Sequence, residues 1–169
     1  MVAGIEETVT QGDLKTMIAP TRPRGFVILA VILAIFSLGT IAFWIEFFTS
    51  GTVSMSDTPA YIEHEQSFPL ADAYMVACAL TCAVGLIRMR PWALLFGVMA
   101  GSGIIFLGLM DTLYSIQQGM FSISAHSDQG AVGFSSSVSV EAFVICAICL
   151  ILGPVTIIYL WRNRARLLG

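Results

Sequence analysis

Apolar residues gather into four runs, about 25–48, 69–87, 92–113 and 138–161, and polar residues occupy the segments between and outside them. Wound as helices at about 1.5 Å per residue, these runs are roughly 29 to 36 Å long, enough to cross a hydrocarbon core of ~30 Å. The pattern predicts an all-α polytopic membrane protein. Because the link Arg88-Met89-Arg90-Pro91 is too short for anything but an antiparallel pair, the expected architecture is an antiparallel bundle of four transmembrane helices. Residues 1–24 and 162–169 then form tails around a transmembrane domain at 25–161.

Smaller elements follow from local signals. In the loop at about 49–68, Asp57 or Thr58 can cap a short helix that starts at Pro59, with Tyr61, His64 and Phe68 along one face. The third helix can continue past Asp111 to about Gln118, which stacks Asp111, Tyr114, Ser115 and Gln118 on one side. Pro154 removes the hydrogen bond to Leu150 and predicts a kink in the fourth. Residues 119–137 are rich in Ser and Gly and read as a loop.

Composition agrees with a membrane setting. At 57% hydrophobic and 11% charged, with mean hydropathy +0.86, 169 residues carry more apolar surface than one soluble core can hide. The net charge of −3 averages two unlike sides. Lys15, Arg22, Arg24, Arg88, Arg90, Arg162, Arg164 and Arg166 all fall in the two tails or the 88–91 turn, so the positive-inside rule predicts both termini in the cytoplasm. The expected location is a bacterial cytoplasmic (inner) membrane, with the bilayer itself as first partner. The first run starts only at Gly25 and lacks a clear cleavage site, so it reads as a retained helix. No basic patch supports nucleic-acid binding.

Candidate chemistry lies on the other side. Glu46, Asp72, Asp111 and Glu141 each sit near the outer end of one span. Asp72 and Glu141 occupy first turns, where the helix dipole favours an anion, whereas Glu46 and Asp111 lie toward C-terminal ends and need another partner. Small residues on the same sides, Gly39 and Ala42 below Glu46, Ala79 and Ala83 below Asp72, Gly97 and Gly108 beside Asp111, predict that these acids face the interior. Converging carboxylates raise one another's pKa or recruit a cation. Glu46, His64 and Asp111, with Glu63, Glu65 and His126 nearby, form a nitrogen and oxygen set suited to a divalent metal ion, and Tyr114 is a secondary ligand. The competing expectation is a rim of solvated interfacial acids.

Cys78 and Cys82 are spaced i, i+4, and Cys146 and Cys149 form a C-x-x-C in the fourth run. This motif within four helices resembles the small thiol oxidoreductases of the bacterial disulfide-generating and vitamin K epoxide reductase type, which implies a quinone-linked thiol chemistry. Those proteins also use loop cysteines, which this chain lacks. At about 100° per residue, Cys146 and Cys149 lie roughly 140° and 80° from Glu141, off the side assigned to the interior. Small apolar filling is therefore the expected role of the cysteines. The runs FPLADAYMVACAL and IIFLGLMDTLYSIQQGMF resemble segments of uncharacterised bacterial four-helix integral membrane proteins, a likeness that points to Asp72 and Asp111 and brings no activity with it.

No nucleotide-binding glycine motif, nucleophile elbow or H-E-x-x-H is present, and two loop histidines do not suit a bis-histidine haem. The leading expectation is a small non-enzymatic membrane protein with an outward-facing acidic site for a cation, metal or small ligand. A first alternative is an accessory subunit of a larger membrane complex, or a homo-oligomer, packing through Gly97 and Gly101 of the third helix. A second is the quinone-linked thiol oxidoreductase.

Overall fold

The computed structural model describes residues 23–51, 59–117 and 136–169. These are almost wholly helical, with no strand among them. The helices are α1 (Arg24–Thr49), α2 (Pro59–Gln66), α3 (Pro69–Ile87), α4 (Trp92–Gln117), α5 (Ser136–Arg162) and α6 (Arg164–Leu168). Residues 1–22, the Asp57 or Thr58 cap, Gln118 and His126 lie outside the described residues.

α1, α3, α4 and α5 are each long and apolar enough to cross a membrane. Their lateral surfaces support that setting. Only 28% of the most apolar stretch is buried in each of α1 and α5, and Ile28, Ile35, Leu38 and Ile45 of α1 are all exposed. An apolar surface this extensive needs a partner other than water.

Local signals explain the boundaries. Pro69 opens α3 at a position where a missing N–H costs nothing. α3 ends in a Schellman arrangement: Arg90 N–H donates to Gly85 O at 2.9 Å and Met89 N–H to Leu86 O at 3.3 Å. Met89 takes the left-handed position usually given to glycine, with φ 50°. Pro91 then stops any continuation, and α4 starts one residue later.

The long helices pack in chain order, α1 on α3, α3 on α4 and α4 on α5. Late residues of one helix meet early residues of the next. Gly97 of α4 lies against Leu160 of α5 and Cys82 of α3, Gly101 against Gly153 and Ile157 of α5, and Gly108 against Cys149 of α5. Backbones approach closely at Gly101 and Gly153, where a Cβ on the latter would sit 2.8 Å from the Gly101 carbonyl oxygen. The small-residue side of α4 is thus occupied by the chain's own helices. Gly97 and Gly101 do not offer a free surface to a second protein, because close packing within the chain has already used them.

Phe26, Leu33, Met75, Leu86, Ile104 and Leu160 form the centre of the core. α1 and α5 meet at one end, where Phe26 and Tyr159 pack edge to face at 5.8 Å and Gly25 lies beside the Tyr159 hydroxyl. That end also carries Arg24, Arg88, Arg90, Arg162, Arg164 and Arg166. The final segment is no loose tail there, since α6 tucks Leu167 into the core.

Candidate ligand cavity

At the opposite end the gap between α1 and α5 widens into a cavity of about 340 Å³. Its roof is α2, which is tied to α3 with almost no linker: Phe68 N–H donates to Glu65 O at 3.0 Å, and Asp72 N–H donates to Phe68 O at 2.9 Å. This junction holds His64 and Glu65 above the first turn of α3. The His64 ring stacks on Tyr114 of α4 at 3.9 Å and 7°, and meets Phe68 edge-on at 4.9 Å. Tyr61 is buried beside them, 6.1 Å from the Tyr114 ring.

Three carboxyl groups line the cavity, Glu65 from α2, Asp72 from α3 and Asp111 from α4. Asp72 accepts a hydrogen bond from Trp44 Nε1 of α1 at 2.8 Å. Trp44 is itself held by rings on its own helix, stacked on Phe48 at 5.6 Å and edge-on to Phe43 at 5.2 Å. Tyr61 hydrogen-bonds to Glu65. Asp111 accepts no hydrogen bond among the described residues and feels the charges of both Glu65 and Asp72.

Among the described residues no Lys or Arg lines the cavity, and His64 is the lining group there able to carry positive charge. Burial lowers its pKa, and its Nε2 atom is buried without a hydrogen-bond partner. Burial also raises the pKa of Glu65. The Asp72 charge adds to that rise while the Tyr61 hydrogen bond opposes it.

The remaining wall is apolar. Phe36 and Phe43 of α1 face Ile145 and Ile148 of α5 across the cavity. Gly39 of α1 and both isoleucines also line it while staying exposed. The cavity therefore opens sideways, between α1 and α5.

Of the residues expected from sequence, His64, Asp72, Asp111 and Tyr114 line this one cavity. Glu46 does not. It is exposed on α1, because two residues turn a helix by about 200° and Trp44 is the residue aimed at α3. Gly39 and Ala42 are likewise exposed rather than packed inside. Glu141 lies on α5, and its side chain falls outside the described residues. The metal set Glu46, His64 and Asp111 is not assembled, and no three His, Cys, Asp or Glu among the described residues are grouped so as to hold a metal ion. Glu46 pointing away is the physical reason.

Two features escaped the reading of the sequence. Cys146 and Cys149 are buried and line the cavity, and their angular offset from Glu141 does not reveal this. Nothing in the sequence pattern singles out Trp44 as the donor to Asp72. The i, i+4 rule applied from Tyr61 would have added Glu65 to the Tyr61, His64 and Phe68 side of α2.

Comparison of the chain with protein-family models, curated proteins and solved structures finds no match to any of them.

Proposed function

We propose that this chain is a multi-pass protein of the cytoplasmic membrane, an antiparallel bundle of four transmembrane helices with both termini inside. Its role is to bind a small ligand, without chemical turnover, in the cavity at its outward-facing acidic end. One observation carries the reading: carboxyl groups from three separate elements converge on a cavity of about 340 Å³ that no described Lys or Arg lines. Such a volume suits a small organic molecule, and mostly apolar walls with a few convergent polar groups are the usual form of a binding site.

All the described arginines gather at the end opposite Glu65, Asp72 and Asp111, which supports the orientation. Glu63 is exposed on α2 and the four native cysteines are buried, so a Glu63→Cys thiol reports the acidic end. It should react with a membrane-impermeant maleimide in intact cells, and Arg166→Cys only after permeabilisation. The reverse pattern would end the outward-facing assignment. Binding itself is tested by thermal stabilisation of purified protein by a panel of small amphiphiles, compared with Ser115→Phe, which fills the cavity from its buried α4 wall. A panel in which no compound distinguishes the two proteins would remove the reading.

A second reading has one observation in its favour. Both thiols of the C-x-x-C line the cavity, where a bound quinone could take two electrons and two protons as Cys146 and Cys149 join in a disulfide. Differential alkylation in membranes tests it. Thiols that stay reduced when excess quinone is supplied would eliminate this chemistry.

A further inference from the structure

The geometry points to an amphipathic organic cation, a substituted ammonium on an apolar body, as the ligand class of this cavity. The inference rests on the cavity reading above and narrows it.

Size excludes a bare ion. A volume of about 340 Å³ falls in the range of small-molecule sites, roughly 300 to 1,000 Å³. An inorganic divalent ion needs several oxygen or nitrogen ligands closing around it, and the described residues contain no such group.

Charge favours a cationic occupant over a neutral one. An uncharged molecule filling the space would displace water from Glu65, Asp72 and Asp111 and supply no counter-charge in return. Tyr61 donates to Glu65 and Trp44 to Asp72, while Asp111 feels the negative charges of both Glu65 and Asp72. His64 could offset one negative charge at most, and burial opposes its protonation. A cationic ligand meets this deficit directly.

The walls favour an organic cation over a strongly hydrated one. Rings of Trp44, Tyr61, Phe68 and Tyr114 line the same end as the carboxyl groups, and aromatic faces attract ammonium groups that have shed water. Beyond them lie Phe36, Phe43, Ile145 and Ile148, which match an apolar body. The sideways opening between α1 and α5 gives such a molecule a route from the lipid.

The experiment uses full-length protein in lipid nanodiscs with Trp92→Phe and Trp161→Phe, which leaves Trp44 as the sole indole and places the reporter in the cavity wall. Phenyltrimethylammonium is titrated against its uncharged isostere tert-butylbenzene, with both free concentrations corrected by partition into empty nanodiscs. The cation should bind about 30-fold more tightly, the carboxyl groups and the aromatic faces acting together. Glu65→Gln with Asp111→Asn should cut that preference to about threefold or less, with thermal melts confirming a folded protein. Tyr114→Leu, which alters no charge, should weaken the cation and leave the isostere unchanged. Equal affinity for both probes would overturn the cation assignment while the cavity reading stands. Failure of both probes to perturb Trp44 would overturn the two together.

Discussion

The hydrogen bond from Trp44 to Asp72 offers the sharpest test of how the cavity is held open, because it joins α1 to α3 at the cavity wall. Replacing Trp44 with Phe removes the indole N–H and keeps most of the ring. A hydrogen bond to a charged group contributes roughly 1.5 to 3 kcal/mol. This pair is only partly buried, which places it in the lower half of that range, about 1.5 to 2 kcal/mol. The smaller phenyl ring also gives up part of the stack on Phe48, about 0.5 kcal/mol. The total expected for Trp44→Phe is about 2 kcal/mol.

A double-mutant cycle separates the bond from its surroundings. Asp72→Ala alone should also lose the favourable placement of an acid in the first turn of α3, roughly 0.3 to 1 kcal/mol. That loss recurs in the double variant and cancels, as does the packing loss at Trp44. The coupling energy from equilibrium unfolding in mixed micelles should therefore be about 1.5 kcal/mol. A coupling below about 0.5 kcal/mol would show that the two side chains act independently, and the account of α1 held to α3 through this bond would be wrong.

Other expectations follow from the same geometry. Gly153→Ala puts a methyl 2.8 Å from the Gly101 carbonyl oxygen, where backbone cannot yield, and should destabilise by about 1 to 3 kcal/mol; Gly39→Ala meets nothing within 4 Å and should be neutral or stabilising by up to about 1 kcal/mol, so paired unfolding curves decide whether the α4–α5 contact is as tight as described. Burial raises the Glu65 pKa, so the folded chain keeps that proton to higher pH than the unfolded chain, and the carboxylate costs stability as pH rises above its ordinary value of 4.5. The melting temperature of Glu65→Gln relative to wild type should then climb with pH through that window, and a flat difference would contradict the burial of Glu65. His64 has the opposite sign: its pKa is lowered, so stability falls as pH drops below 6.5, and His64→Gln should gain on wild type in acid. Glu46→Gln should leave phenyltrimethylammonium affinity unchanged while Asp111→Asn weakens it, the reverse order being evidence that Glu46 reaches the cavity.

Helix positions were legible because they are written along the chain in one dimension. A run of apolar residues must form a helix in lipid to satisfy its own backbone, and Pro59, Pro69 and Pro91 mark where α2, α3 and α4 begin. Facing was less legible. A helix that is apolar nearly all round carries no polar stripe to show which side is buried, so Gly39, Ala42 and Glu46 on α1 and Glu141 on α5 are weak guides to rotation. Glu46 was a poor choice, since Trp44, about 200° away, is the residue that turns inward. Glu141 likewise displaced Cys146 and Cys149 from the cavity wall they occupy. On α4 the glycines gave a true guide, because Gly97, Gly101 and Gly108 can pack closely only on one side, and Asp111 follows that side.

The cavity and the charge polarity have one structural origin. Close backbone contact at Gly101 and Gly153 fixes α4 to α5, and the Schellman turn fixes α3 to α4, so the arginine end is tightly joined around Phe26, Tyr159 and Leu167. Among the described residues nothing comparable draws α1 to α5 at the other end. There Phe36 and Phe43 face Ile145 and Ile148 across open space, and α2 covers the gap from above through its stack on Tyr114. Carboxyl groups tolerate this end because the cavity leaves them room for solvent or a ligand, whereas tight packing would have forced them to pair or to neutralise. The looseness that makes the acidic end costly in packing is what the proposed binding role would use.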